Sequence, residues 1–474
     1  MSNAFSWFEK IAQIPHMSYH EQALSDYIVA FAKARNLKVI QDKAGNVVVF
    51  KPASSGYESA ATTILQAHLD MVAEKNKSSN HDFLVDPIEI QIVDGEVYAN
   101  QTTLGGDDGV GVAYMLAILD DDALVHPALE CVFTVQEEVG LKGAMAFDAS
   151  ILTGVNFIGL DSSGESTTVV SSSGGSRSDV IVPVHFEINS APVLEVFISG
   201  LRGGHSGGSI DLQRANSLKL AGILLYQLAK KHTLRLVAID GGLKENAIAR
   251  EATLQIACLE DTAGIIDSVH QITSELKAQY HSADPDLSIT VHEIGAGRCM
   301  DEASTIRVAN LLFMLPYGSL YRELAMDNLV VASSNYGVVT TDEENVSIHL
   351  STRAAQAFVL NQILDQIALL AQLNSSVFTL VSIYGGWPYA DNSPLRERLF
   401  KVYEELRHQP MSIEATHGGL EMGVFKGKLP HLDMISLGPI TTDIHTPNEH
   451  FNLASFERTY EVLVHVIQDI GHQR

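Results

Sequence analysis

Cysteine and positive charge are scarce in this 474-residue chain, and each shortage excludes something. Cys131, Cys258 and Cys299 are the three cysteines, and they stand far apart. They form neither a Cys-x-x-Cys pair nor an even disulfide set, which argues against a disulfide-stapled scaffold and for a reducing cytoplasm. Lysine and arginine number 31 against 57 aspartates and glutamates, a net charge of −26. Such a surface repels nucleic acid and anionic membranes, so neither is expected as a partner. Long apolar runs are missing as well: no stretch approaches the ~20 residues that cross a bilayer. The early Glu9 and Lys10, with no basic segment leading into an apolar block, do not read as a secretory leader. What is present, 46% hydrophobic and 19% charged residues, is the make-up of a soluble globular protein. The length suffices for two domains.

The pattern along the chain divides it. Residues 5–36 read as amphipathic helices and 38–50 as strands around a Gly45-Asn46 turn. Short apolar strands follow at 62–67, 128–135 and 157–160, with an apolar helix at 110–119 opened by Leu104-Gly105-Gly106-Asp107-Asp108-Gly109. Strands alternating with helices at this spacing predict an α/β domain around a mostly parallel sheet with helices on both faces. At Ser171–Ser176 the small, polar, glycine-rich run predicts a linker. Beyond it, two successive stretches share an order of strands and helices without matching residues, which predicts an α+β domain with helices on one face of an antiparallel sheet. After Gly385-Gly386-Trp387-Pro388 the first texture returns. The expected organisation is a discontinuous catalytic domain, 1–173 with 385–474, interrupted by an inserted domain at 174–384.

The reactive side chains stand where strands stop. His68 and Asp70 follow one strand, Glu137 and Glu138 another, and Asp161 a third; His445 follows the last, and Asp107 precedes a helix. Sites in open α/β sheets lie beyond the carboxyl ends of the strands. Each short pattern alone has an ordinary explanation: an N-cap for Asp107, a solvated turn for the two glutamates, an Asx turn for Asp161. Together and in this order, two imidazoles and several carboxylates are a ligand set suited to a pair of zinc ions, one carboxylate being shared. On one strand face with His68, Asp70 is placed to orient the imidazole through its second nitrogen. Adjacent side chains in Glu137-Glu138 diverge, so one can bind metal while the other faces an attacking water. No Arg/Lys cluster or glycine-rich phosphate loop accompanies the set, which disfavours a two-metal phosphoesterase.

Several long motifs resemble those of the M20 metallopeptidases, within them the aminoacyl-histidine dipeptidase branch. They are Gln66-Ala67-His68-Leu69-Asp70-Met71-Val72, residues 103–111 around Asp107, Glu137-Glu138-Val139-Gly140-Leu141-Lys142-Gly143-Ala144, and Leu160-Asp161. Leu201-Arg202-Gly203-Gly204-His205-Ser206-Gly207, His417-Gly418-Gly419-Leu420-Glu421 and residues 438–449 around His445 continue the likeness over nearly the whole chain. The resemblance implies that His68, Asp107 and Asp161 bind one zinc and Asp107, Glu138 and His445 the other, with Co2+ or Mn2+ able to substitute. It implies Glu137 as general base, Asp70 as the orienting acid, and a lid that also dimerises. His205 on that lid would reach substrate, in the partner subunit's site, and stabilise the oxyanion; Asn246, Arg353 and Gly419 would hold substrate. The implied activity is hydrolysis of dipeptides, Xaa-His and β-alanyl-histidine among them. A tripeptidase or N-acyl-amino-acid deacylase on the same scaffold, and a non-catalytic metal-binding protein, are the alternatives. The chain departs from the resemblance at Gly106, where alanine is usual, and His450 stands close enough to rival His445.

Overall fold

The structure, a computed structural model, describes residues 3–324, 326 and 329–471. Two compact units emerge: Met1–Ser172 with Trp387–Ala415 and Leu420–Arg474, and Ser173–Gly386 with Thr416–Gly419. No helix among the described residues is long and apolar enough to cross a membrane.

In the first unit the sheet runs in the order Lys38–Gln41, Val47–Lys51, Leu129–Thr134, Thr63–His68, Asn156–Gly159, Asp433–Ser436. The last four strands are parallel, and the first two form an antiparallel edge. Every residue of Thr63–His68 and Leu129–Thr134 is buried, as befits strands covered on both faces, and this explains their unbroken apolar runs. On one face Leu65 and Ala67 pack under the helix Gly106–Asp120, against which the helix Leu453–Gly471 lies in turn, Tyr114 meeting Phe456 with ring centroids 4.7 Å apart. On the other, Phe157 meets Phe425 of the helix Glu421–Lys428, ring centroids 5.2 Å apart. The helix Gly106–Asp120 is buried all round from Gly109 to Leu119, the mark of a core helix. Gly111 lets it sit directly on the sheet: a Cβ there would stand 2.9 Å from Ala67 Cβ and 2.7 Å from Leu160 Cβ. By contrast Leu453–Gly471 buries Phe456, Thr459, Leu463, Val466, Ile467 and Ile470, the three-and-four spacing of an amphipathic helix.

The second unit holds an antiparallel sheet in the order Ser288–Gly295, Val193–Ser199, Ala252–Cys258, Leu234–Gly241, Leu329–Thr341, Asn345–Ala354, Gly174–Pro183, Val377–Tyr384. Its helices Ser217–Ala229, Thr262–Tyr280, Glu302–Met314 and Ala357–Leu373 share one hydrophobic core with alternate strand residues such as Val180, Val196, Leu254 and Ile348. They therefore cover one face.

One expectation is corrected here. Residues 171–176 are not a linker. The strand Thr167–Ser172 ends there, and Gly174–Pro183 is an interior strand with neighbours on both sides. The glycines serve close packing rather than flexibility: a Cβ on Gly175 would meet the Tyr384 hydroxyl at 2.5 Å, and one on Gly174 the Gly386 nitrogen at 2.6 Å.

Candidate metal centre

Parallel strands end at the same edge of their sheet, and here they deliver acidic and imidazole side chains. His68 is the last residue of Thr63–His68. Glu137 and Glu138 follow Leu129–Thr134, and Asp161 follows Asn156–Gly159. Asp107 enters the helix Gly106–Asp120 in an extended conformation (φ −87°, ψ 105°), and its peptide bond to Asp108 is cis. His445 lies between the short strands Thr441–Thr442 and His450–Asn452, with φ +63°.

These residues form three-membered groups whose ligand atoms lie within 4.8 Å of one another: His68 with Asp107 and Asp161, and Asp107 with Glu138 and His445. Asp107 belongs to both. Its Oδ1 is 2.9 Å from His68 Nε2 and its Oδ2 is 3.2 Å from His445 Nε2. His445 Nε2 is also 2.7 Å from Glu138 Oε1. A further group joins His68 to Glu137 and Glu138. Imidazoles and carboxylates at this spacing fit divalent metal ions of the zinc type, and one shared carboxylate fits a pair. His450, the rival in sequence, lies in none of these groups; its ring stacks on Tyr98, centroids 4.6 Å apart.

The electrostatics agree with that fit. Burial pushes Asp161 up to about 7, and the charge of Asp107 adds to the rise. Burial also carries Glu137 well above the usual carboxylate range; Asp161, Glu421 and Glu138 reinforce this, and His68 opposes it. His445 is drawn up to about 10 by its hydrogen bonds to Asp107 and Glu138. Asp107 goes the other way: burial would raise it, but hydrogen bonds from His445 and His68 outweigh that and hold it below the usual carboxylate range. Carboxyls that resist ionisation, as Asp161 and Glu137 do, are ones that a bound cation stabilises in their charged form, since the ion becomes the largest local charge.

Asp70 faces the second ring nitrogen of His68, with its backbone carbonyl nearer than its carboxylate. The His68 Nδ1 donates to the Asp70 backbone carbonyl at 2.9 Å, while the Asp70 carboxylate stands 3.5 Å away. That carboxylate accepts the backbone N–H groups of Glu137 (2.9 Å) and Glu138 (3.2 Å) and the Ser18 hydroxyl (2.8 Å). Glu21 accepts the N–H of Gln136 at 3.2 Å. Asp70 and Glu21 thus hold the turn that presents both glutamates. Sequence reasoning missed Ser18 and Glu21, although their Ser-x-x-Glu spacing before a helix is a visible capping signature; the structure uses both side chains on this turn instead. It also gave no role to Asp108, which accepts the His68 N–H at 3.3 Å. Nor did it give one to Glu421, fully buried, which accepts from Gln66 (2.7 Å) and Thr134 (2.5 Å).

The remaining expected residues lie in the second unit. His205 Nδ1 accepts the N–H groups of Gly207 and Gly208, both at 3.2 Å. The ring proton is thereby assigned to Nε2. Burial and then the charge of Arg353 lower the pKa of this histidine. Arg353 is 8% exposed; its Nη1 donates to the Tyr384 hydroxyl at 3.3 Å, and its Nε has no partner among the described residues. Gly419 packs on the same tyrosine, where a Cβ would come within 2.7 Å of the hydroxyl. Asn246 is half-buried, and its carbonyl accepts the Ser206 N–H at 2.8 Å. His417 sits between two hydroxyls, Ser173 Oγ at 2.8 Å and Ser333 Oγ at 2.7 Å.

Residues 64–469 match the model of peptidase family M20/M25/M40. The cytosol non-specific dipeptidase of Escherichia coli (strain K12) is 34% identical over 470 residues, which cover 98% of this chain and 96% of that protein. The crystal structure of aminoacylhistidine dipeptidase from Vibrio alginolyticus superposes with a TM-score of 0.93 at 31% identity, covering 100% of this chain and 97% of that one. An aminopeptidase from Bacillus cereus shares the fold at a TM-score of 0.57 and 16% identity, covering 99% of this chain and 98% of its own. With a family model spanning most of its length and a relative this similar end to end, the chain belongs to peptidase family M20/M25/M40 and is a hydrolase acting on peptide bonds.

Proposed function

We propose that this peptidase is a dipeptidase with a two-zinc centre, acting on short unblocked peptides that include Xaa-His and β-alanyl-histidine. The observation that carries the reading is the pair of ligand groups sharing Asp107, with Glu137 beside them on the same turn as Glu138. His68, Asp107 and Asp161 hold one ion; Asp107, Glu138 and His445 hold the other. Co2+ or Mn2+ can take the place of zinc in such a donor set. When bound, a metal pair polarises the scissile carbonyl and lowers the pKa of water from about 15.7 toward about 7.

The chain's own residues do the rest. Glu137 takes the proton of the attacking water and passes it to the leaving nitrogen. Its raised pKa, set by burial and the neighbouring carboxylates, suits a group that must act as base and then as acid near neutral pH. Asp70 keeps the glutamate turn and the His68 ring in register. In the second unit His205 is a neutral imidazole with its Nε2–H free to donate, the role needed at an oxyanion. Arg353, buried with an unpartnered Nε, is suited to the terminal carboxylate of a peptide; holding that terminus restricts substrate length. Gly419 keeps clear the space beside Tyr384, and Asn246 completes the substrate contacts. A homodimer through the second unit is supported by the apolar exposed edge strand Val377–Tyr384 and by Phe358 and Leu373 on the helix Ala357–Leu373. The three buried free cysteines suit a cytoplasmic protein.

The test is a panel of dipeptides, tripeptides and N-acyl amino acids offered to the wild type and to Glu137→Ala. The wild type is expected to favour dipeptides. The variant is expected to bind zinc as the wild type does while losing ~10²–10⁴-fold in turnover. Near wild-type turnover in Glu137→Ala removes it as the base, and preference for tripeptides or acylated amino acids replaces the dipeptidase reading.

A further inference from the structure

Glu449 has no role in the account so far, yet it is 2% exposed and lies at the centre of the site's framework. Its carboxylate accepts four successive backbone N–H groups. Oε2 takes Leu104 at 2.7 Å and Gly105 at 3.1 Å; Oε1 takes Gly106 at 2.8 Å and Asp107 at 3.2 Å. Gly105, left-handed at φ +71°, turns these donors to one side, the geometry of an anion-binding nest. Gly106 keeps the approach open, since a Cβ there would stand 3.2 Å from Oε1. The buried charge is compensated by these four donors.

The other end of the same residue is tied to His445. Glu449 N–H donates to the Thr446 carbonyl at 3.0 Å, and Thr446 Oγ1 donates to the Asp443 carbonyl at 2.7 Å. Asp443 and His445 both hold positive φ, +52° and +63°. That conformation is uncommon for side-chain-bearing residues, with aspartate and histidine among those that adopt it most readily. One carboxylate therefore joins the turn carrying Asp107 to the loop carrying His445.

We propose that Glu449 is a positioning residue that sets the spacing between Asp107 and His445, and so the affinity of the ligand group Asp107, Glu138, His445 for its metal ion. The proposal rests on the two-ion reading above. The other group, His68, Asp107 and Asp161, shares only Asp107 with this tether; His68 and Asp161 are carried by the sheet. The two ions should respond unequally to loss of the carboxylate. In Glu449→Gln the shape stays, but an amide NH2 replaces one oxygen and faces N–H groups that it cannot accept.

The experiment is titration of the metal-free full-length chain with Co2+, followed by its visible absorption. Wild type is expected to take up two equivalents. In Glu449→Gln one equivalent should bind as in the wild type and the other about 10- to 100-fold more weakly, the usual cost of losing a partner that orients a ligand. Two equivalents at wild-type affinity, or equal weakening of both, overturns the role given to Glu449. A wild type that takes up no Co2+ overturns the metal centre itself, a different failure. If Glu449→Gln does not fold, Glu449→Asp, which keeps the charge but shortens its reach, is read by the same criteria.

Discussion

At the scale of single residues, burial and local hydrogen bonds decide which groups carry charge. His417, in the second unit, shows this. Burial, with the charge of Arg353 added, lowers its pKa to about 3, and both ring nitrogens are engaged by serine hydroxyls. Between about 3 and the ordinary 6.5 the unfolded chain binds a proton that the folded chain refuses, so stability falls as pH drops through that window and is fully present above it. The expected limiting slope is about 1.4 kcal/mol per pH unit. Urea unfolding at a series of pH values should show it in the wild type and show less of it in His417→Asn; equal acid sensitivity in the two proteins would remove His417 as its source. Residue identity also governed what was legible in the sequence. The acidic and imidazole residues at strand ends could be read because their chemistry is unusual in such places. Glu449 could not, because it acts through backbone N–H groups, and backbone donors leave no trace in side-chain spacing; Ser18 and Glu21 showed only a helix-capping pattern, whereas they bond to Asp70 and to the Gln136 N–H.

At the scale of elements, the second unit carries an internal repetition that the sequence showed only as a shared order. Call the strands of each half first to fourth along the chain. Leu234–Gly241, Ala252–Cys258, Val193–Ser199 and Ser288–Gly295 lie side by side as second, third, first, fourth. Leu329–Thr341, Asn345–Ala354, Gly174–Pro183 and Val377–Tyr384 repeat that arrangement. The halves meet where Gly241 pairs with Val339. The first half is inserted after the first strand of the second, and this nesting hid the repeat. The glycine-rich start of Gly174–Pro183 was misread for a related reason: small residues signal a linker when flexibility needs them and a strand when a neighbouring tyrosine leaves no room. The last strand, Val377–Tyr384, forms an end of its sheet, and Val377, Leu380, Val381 and Ile383 are exposed on it. Exposed apolar edges of this kind invite pairing with a second chain. Val381→Glu, which places a charge on that edge, is expected to convert a dimer into a monomer by light scattering. A wild type that is monomeric throughout, or a variant that stays dimeric, contradicts dimerisation by this edge.

At the scale of the whole molecule, the parallel strands explain why residues far apart in sequence meet. Thr63–His68, Leu129–Thr134 and Asn156–Gly159 run in one direction and stop together, so their next residues share a crevice edge. The alternating strands and helices made this legible. The loop that brings His445 to the same place, and the turn that extends Asp107 toward both histidines, depend on contacts that no periodicity encodes. If this convergence grips two metal ions, peptide hydrolysis depends on both. The most direct measurement is dipeptide turnover by the chelated full-length chain as zinc is returned in known amounts. Turnover absent at the outset and complete at two zinc ions per chain is the predicted result; undiminished turnover by the metal-free protein would contradict the account.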